Sequence, residues 1–193
     1  MIIDTVGKAC AAADHDIPVL YFFFDFNDPN KQKAEDLVRS LIWQLAAKSK
    51  STVSFLQALY SEHQAQPVKT MPAINTWTDV LLKLLLKQHS CYIIIDALDE
   101  CTEVQELWEA ITLLLNKAKP SVKWLFVSQP TVDIQNMLSE HPLVKVEIRS
   151  SVVDQDIQSY VGRRLETDLR LGSFPPSVKA KIIQVIGEKS SGM

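Results

Sequence analysis

Three acidic residues that follow a short apolar run are the side chains of this 193-residue chain best suited to chemistry. Asp96 directly follows Ile93-Ile94-Ile95, and Asp99 and Glu100 come three and four residues after Asp96. In an open parallel sheet, ligands bind beyond the carboxyl ends of the strands, where Asp96 would lie. A carboxylate at that place can hold a hydrated Mg²⁺ that bridges nucleotide phosphates. Asp99 and Glu100 are near enough in sequence to orient or deprotonate an attacking water.

The same spacing also has a purely structural interpretation. Acidic residues at a strand-to-helix turn often cap the next helix, and the sequence predicts a helix that starts near residue 102. An apolar run that ends in an aspartate is a common pattern as well. The spacing alone therefore leaves two interpretations open for Asp96 and Asp99, a nucleotide-metal site and a helix cap.

The cysteines and histidines form no pattern typical of a metal centre or a nucleophile. The 3 cysteines include no CxxC pair, and the 4 histidines include no HExxH motif. We therefore expect reduced thiols in a cytoplasmic protein and no structural zinc. Ser128 lies outside any G-x-S-x-G elbow, so hydrolase chemistry has little support.

Composition and charge exclude several classes of protein. Lys and Arg number 20 against 23 Asp and Glu, and the absence of a basic block argues against a dedicated nucleic-acid binder. The longest apolar stretches are Val19–Phe24 and Leu81–Leu86, the second interrupted by Lys83, and both are far shorter than the roughly 20 residues that cross a bilayer. We expect neither a nucleic acid nor a membrane as partner. With only 5 glycines, the chain also has few positions for a glycine-rich phosphate loop.

Strand-like and helix-like segments alternate along the chain. Buried strands are predicted at Val19–Phe24, Cys91–Ile95 and Val122–Val127, and a half-exposed fourth strand is predicted at Val144–Ile148. Helices are predicted over about 29–48, around 53–60, behind a capping box at Thr76 and Asp79, over about 103–118, and after caps at Thr131, Asp154 and Pro175 or Pro176. This alternation predicts an α/β fold with a three-layer parallel sheet.

Four motifs occur in an order that resembles a known family. They are Tyr21–Asp28, Leu37–Leu45, Tyr92–Glu100 and Glu188–Met193. The series resembles the NACHT NTPase domain of fungal signalling proteins, of the nephrocystin-3-like N-terminal type, among the signal-transduction (STAND) P-loop NTPases. The resemblance covers nearly the whole chain. It implies a sheet of the P-loop NTPase type in a single partial domain over 1–193, with a sheet core at 1–150 and the start of a helical extension at 151–193.

The resemblance also implies a role for each candidate site residue. Asp96 matches the Walker B carboxylate that holds Mg²⁺, and Asp99 and Glu100 match the second acidic cluster, which acts in catalysis. Ser128 and Gln129 stand where the family usually has Thr-Ser-Arg-Pro, a sensor near the γ-phosphate. Gln129 replaces the arginine, and glutamine donates a hydrogen bond but carries no charge to pair with the γ-phosphate.

The phosphate-binding loop of the family has no counterpart in this sequence. The pattern G-x-x-x-x-G-K-[ST] cradles phosphates, but Gly7-Lys8 lacks both the preceding glycine and the following hydroxyl residue. Since Met1–Asp4 resembles the helix that follows this loop, we expect a chain that lacks the first strand and the P-loop. That strand would lie between Val122–Val127 and Val144–Ile148, so we expect marginal stability and weak or no nucleotide binding.

Two functions compete at this point. The first is a fragment of a signalling NTPase module, a nucleotide-dependent switch in an NLR-like protein, that does not hydrolyse nucleotide by itself. The intact parent would use Mg²⁺ with ATP or GTP, and its partners would be its own effector and repeat domains and further copies of itself. The alternative is a non-catalytic α/β scaffold for protein interaction, derived from such a domain.

Overall fold

The computed structural model describes residues 17–64, 72–147, 150–168 and 170–190. These residues form a three-stranded parallel sheet and seven α-helices, which confirms the α/β class with a parallel sheet. The strands are β1 Val19–Phe23, β2 Cys91–Asp96 and β3 Val122–Phe126. The helices are α1 Ala34–Lys48, α2 Lys50–Gln64, α3 Ile74–Lys87, α4 Val104–Lys117, α5 Val132–Ser139, α6 Ser150–Thr167 and α7 Pro176–Ser190. The chain divides into two compact units, one ending at His141 and one beginning at Pro142.

The sheet has the order β1-β2-β3, and both pairs of neighbouring strands are parallel. Leu20 on β1 lies beside Ile93 on β2, and Ile93 lies beside Trp124 on β3. The central strand therefore ends at Asp96 between two neighbours, at the carboxyl edge of the sheet, the edge where ligands bind in open α/β sheets.

One face of the sheet forms the core together with the helices. Its strand residues pack in one apolar cluster with side chains of α1, α3 and α4: Leu20, Phe22, Cys91, Ile93, Ile95 and Val122 from the strands, and Leu37, Leu41, Leu45, Leu81, Leu84, Leu85, Leu107, Ile111 and Leu114 from the helices. Each large side chain buried in this way contributes about 1.5–3 kcal/mol to folding. The opposite face of the sheet carries Tyr21, Phe23 and Leu125, which are exposed.

The two edges of the sheet differ. At the outer edge of β1, the Gln44 carboxamide of α1 bonds to the backbone of Tyr21, accepting from its N–H at 3.0 Å and donating to its carbonyl at 2.7 Å. At β3, Ser121 and Val127 bond to β2, so the backbone groups of Trp124 and Phe126 face away from it. No described residue bonds to the backbone of those two residues.

The predicted fourth strand is wrong where the structure describes it. Residues 144–147 are irregular, with Val144 93% and Val146 81% exposed, and Ile148 lies outside the described residues. Alternating apolar residues become a strand only when a neighbouring strand bonds to their backbone. Within the described residues no strand pairs with this segment.

Several predicted helix starts are also wrong. A short 3-10 turn, Pro29–Lys31, precedes α1, and Asp28 caps this turn rather than a helix that runs on to residue 48. The capping box at Thr76 is not formed, because α3 already begins at Ile74. Asp154 lies inside α6, which begins at Ser150. Asp28 thus caps a short turn, whereas Thr76 and Asp154 lie within the first two turns of their helices.

Other predicted helices agree with the structure more closely. Thr131 precedes α5 but its side chain makes no capping bond, and α7 begins at Pro176. The helix predicted around 53–60 lies within α2, on which Tyr60 is exposed. The expectations for residues 1–16, 65–71 and 191–193 lie outside the described residues.

The second unit contains two helices that pack on each other, α6 and α7. Leu165 is buried, and Ile183 lies opposite Gly162, where a Cβ would be 3.9 Å from the isoleucine Cδ1. Tyr160, on α6, is 64% exposed. No helix in the described part of the chain is long and apolar enough to span a membrane. The assignment of 151–193 to a helical extension stays a prediction.

Candidate functional site

The chain turns sharply at the end of β2, immediately after Asp96. Ala97 adopts φ 55° and ψ 48°, and it is the one non-glycine residue with positive φ among those described. The Ala97 N–H donates to Asp96 Oδ1 at 2.9 Å. An L-residue in this left-handed conformation costs about 1–2 kcal/mol, and strain of this kind is concentrated at functional sites. The left-handed backbone of Ala97 therefore lowers the stability of the fold, and the surrounding contacts must offset this free energy.

Contacts to β3 hold this turn in place. The Leu98 N–H donates to the Val127 carbonyl at 3.2 Å, and the Leu98 side chain is fully buried. Leu98–Glu100 then form a 3-10 turn, which ends with the Cys101 N–H bonded to the Leu98 carbonyl at 3.2 Å. The acidic residues thus stand on a short element that is packed into the core.

Asp99 connects this turn to the loop after β3. Its Oδ1 accepts a hydrogen bond from Ser128 Oγ at 2.9 Å and another from the Gln129 N–H at 2.9 Å. Ser128 Oγ also lies 2.9 Å from the Gln129 carbonyl, but the carboxylate is the stronger acceptor for its one hydrogen. Asp99 therefore joins two loops that are about thirty residues apart in sequence.

Glu100 connects the same turn to the loop after β1. Its Oε2 accepts from the Phe26 N–H at 2.8 Å. Gln32 supports this contact, since its Nε2 donates to the Phe26 carbonyl at 2.6 Å and its own carbonyl accepts from the Thr102 N–H at 2.9 Å. The acidic turn is thus bonded to both neighbouring strand ends.

The structure brings the five predicted site residues to one edge of the sheet. Asp96 ends β2, Asp99 and Glu100 lie on the turn that follows, and Ser128 and Gln129 follow β3. Hydrogen bonds join Asp99 to Ser128 and Gln129, whereas Asp96 makes none to either among the described residues. The helix-cap interpretation is wrong, because Glu103 occupies the N-cap position of α4 and no side chain caps that helix.

Sequence reasoning missed Phe26, Gln32 and Ala97. The Phe26–Glu100 contact spans 74 residues, so no local spacing marks it. Ala97 adopts a left-handed conformation that favours glycine. Because alanine is not a typical turn residue, the sequence does not predict the turn at this position.

Asp96 has the chemistry of a Mg²⁺ ligand but does not surround an ion by itself. No group of three or more His, Cys, Asp or Glu side chains converges on one ion position within the described residues. Asp96 Oδ2, however, has no hydrogen-bond donor from any described residue. This fits Mg²⁺, which commonly keeps several waters and takes one or two carboxylates together with substrate phosphates.

The two described thiols are not nucleophiles. Burial raises the pKa of Cys101 to about 11 and that of Cys91 to about 12. Both are free and buried, and they stay protonated at neutral pH.

On the loop after β1, the backbone hydrogen bond from Asn30 lowers the pKa of Asp28. Chemistry at this edge of the sheet therefore depends on the carboxylates.

Comparison with known proteins includes two matches. A family model described as Nephrocystin 3, N-terminal, matches residues 1–129. The vegetative incompatibility protein HET-E-1 of Podospora anserina is 26% identical over 157 residues, a match that covers 76% of this chain. The chain spans 11% of the length of that relative. All five candidate site residues, Asp96, Asp99, Glu100, Ser128 and Gln129, lie within the family match.

Proposed function

The chain belongs to the family of nephrocystin 3 N-terminal domains, and on that premise we propose that it is part of a NACHT-type signalling NTPase module. In the whole protein this module would act as a nucleotide-dependent switch of the NLR-like, STAND class. The observation that carries the proposal is the set of hydrogen bonds that joins the turn after Asp96 to the Ser128–Gln129 loop at the carboxyl edge of the sheet.

Each site residue has a separate role in this proposal. Asp96 is the Walker B carboxylate that would hold a hydrated Mg²⁺, and the ion would neutralise phosphate charge of ATP or GTP. Ser128 and Gln129 would act as the sensor near the γ-phosphate of the nucleotide. Asp99 and Glu100 form the acidic cluster beside the attacking water, and each keeps one carboxylate oxygen to which no described residue donates a hydrogen bond.

Phosphate binding and partners complete the proposal. Because the sequence contains no G-x-x-x-x-G-K-[ST] pattern, we propose that this chain binds nucleotide weakly and does not hydrolyse it alone. The partners would be the effector and repeat domains of the parent protein and further copies of it, in the cytoplasm, with no nucleic acid or membrane bound.

A second candidate function is a non-catalytic scaffold for protein interaction. Two features of the sequence favour it, the missing phosphate-loop pattern and the uncharged Gln129 in place of the family's arginine. A scaffold would keep the hydrogen bonds of the acidic turn for stability and would need no nucleotide.

Thermal unfolding of the longest native form of the protein separates the two functions. The variants are D96N, in which the amide oxygen still accepts from the Ala97 N–H, and D79N, a matched change at an exposed residue of α3. We expect Mg²⁺ with ATP or GTP to raise the melting temperature of the wild type and of D79N, because a ligand that binds the native state stabilises it. D96N should lose the Mg²⁺-dependent part of that rise. A wild type that responds to no nucleotide would contradict the switch and favour the scaffold.

A further inference from the structure

Asp99 differs from the other two acidic residues in what it contacts. Its Oδ1 accepts two hydrogen bonds, and both donors belong to the loop after β3. Asp96 accepts from its own neighbour, and Glu100 accepts from the loop after β1. Asp99 is thus the one carboxylate of the turn that contacts Ser128 and Gln129.

The loop after β3 depends on this contact for its position. Val127 still pairs with β2, because its N–H donates to the Ile95 carbonyl at 2.9 Å. Beyond Val127 the chain leaves the sheet, and the Gln129 N–H is bonded to Asp99. The Gln129 carbonyl accepts from the Thr131 N–H at 2.9 Å, a contact within the same segment that does not fix the loop to β2. Asp99 therefore extends the connection between the two strand ends by two residues.

We infer that Asp99 is a positioning residue of the proposed nucleotide site, which places Ser128 and Gln129 relative to Asp96. What the site requires of Asp99 is an oxygen that accepts hydrogen bonds, and not its negative charge or its capacity to take a proton. The inference rests on the proposed function and assigns the work of activating water to Glu100. The inference predicts that D99N, which keeps the acceptor oxygen, retains function that D99A loses.

Two substitutions at this position separate acceptor from charge. In D99N the amide oxygen has the same place and still accepts from Ser128 Oγ and the Gln129 N–H, while the charge is gone. In D99A both hydrogen bonds are lost. A group that takes a proton from water fails in both variants, whereas a positioning residue fails only in D99A.

The first measurement is amide hydrogen exchange of the 193-residue chain, followed residue by residue by NMR. We expect the Gln129 amide to exchange at least about tenfold faster in D99A than in the wild type and within about threefold of it in D99N. The Phe26 amide, which Glu100 holds, serves as the internal control and should not change. Unchanged Gln129 exchange in D99A would overturn the inference, and so would equal acceleration in both variants.

The second measurement is nucleotide hydrolysis by the longest native form of the protein. We expect D99A to lose kcat at least about tenfold and D99N to lose clearly less than D99A, because D99N keeps the acceptor oxygen. A D99N variant as inactive as D99A, with the Gln129 amide still protected, would show that the charge is needed and would overturn the inference. Absence of hydrolysis in the wild type would contradict the proposed function instead, and the exchange result would then decide alone whether Asp99 holds the loop. If D99A fails to fold, D99N still tests the inference, because loss of its activity with a protected Gln129 amide would overturn it.

Discussion

At the scale of single residues, the three carboxylates at the end of β2 have similar chemistry but accept hydrogen bonds from different parts of the chain. Asp96 bonds to the next amide, Asp99 bonds to the loop after β3, and Glu100 bonds to the loop after β1. The strained backbone of Ala97 makes this possible, since it turns the chain out of β2 within one residue. Consecutive side chains on the tight turn then reach neighbours on opposite sides of the central strand.

The buried thiols predict a specific dependence of stability on pH. Burial raises the pKa of Cys91 from 9.0 to about 12 and that of Cys101 from 9.0 to about 11. Below pH 9.0 both thiols are protonated in the folded and the unfolded chain, so their contribution is fully present. Above it the unfolded thiols ionise first, and the free energy of unfolding falls by up to about 1.4 kcal/mol per pH unit for each thiol.

Chemical denaturation between about pH 8 and about pH 11 measures this effect. We expect C91A to lower stability at neutral pH, because it removes a buried side chain, and to lose stability less steeply than the wild type as pH rises. Parallel pH profiles for C91A and the wild type would contradict the assignment of the alkaline loss to Cys91.

At the scale of elements, the sheet has one closed edge and one open edge. The Gln44 carboxamide takes the place of a neighbouring strand at β1, while the outward backbone groups of Trp124 and Phe126 at β3 have no partner among the described residues. An unpaired strand edge is a template for further strands, and proteins usually protect such edges. The exposed edge of β1 is therefore protected by a side chain of α1 and not by another strand.

Substitution of Gln44 tests the closure of the β1 edge. We expect Q44A to lower the free energy of unfolding by about 1–2 kcal/mol, since it removes two hydrogen bonds to the Tyr21 backbone. We also expect Q44A to associate more readily at high concentration, as measured by light scattering. The matched control is Q57A at an exposed glutamine of α2, which should leave stability within about 0.5 kcal/mol. Equal effects of the two substitutions would show that the carboxamide does not close the edge.

At the scale of the whole molecule, the chain consists of two compact units that meet in sequence at His141 and Pro142. Residues 142–147 begin the second unit as irregular, exposed chain. Lys145 and Glu147 form an ion pair at 2.8 Å, and because both are exposed this pair contributes little to order in the segment. Exposed irregular backbone is where proteases cut folded proteins first.

Limited digestion with trypsin tests this exposure. Among the lysines and arginines of the described residues, we expect the first cut after Lys145, with products identified by mass spectrometry. K145Q should slow the appearance of that product and leave the other early products unchanged. An initial cut within the first unit, which contains the sheet, for example at Lys83 on α3, would contradict the division of the chain at His141 and Pro142.

Much of this protein follows from local patterns in the sequence. Ile93–Ile95 forms the central strand and Asp96 ends it, as the apolar run predicts, and the buried leucines of α1, α3 and α4 recur at helical spacing. These features depend on residues within a few positions of each other, where the periodicity of helix and strand is the dominant physical constraint. The resemblance to the nephrocystin 3 N-terminal family, confirmed by the match over residues 1–129, rests on the same local motifs.

The tertiary structure alone decided which side chains meet. The bonds from Asp99 to Ser128 and from Glu100 to Phe26 span 29 and 74 residues, so they depend on strand order and not on local spacing. The strand-like segment at 144–147 stayed irregular for the same reason, because a strand exists only where a neighbour bonds to its backbone. The sequence by itself thus determined the elements and the acidic residues at the end of β2. Long-range hydrogen bonds determined how those residues are held.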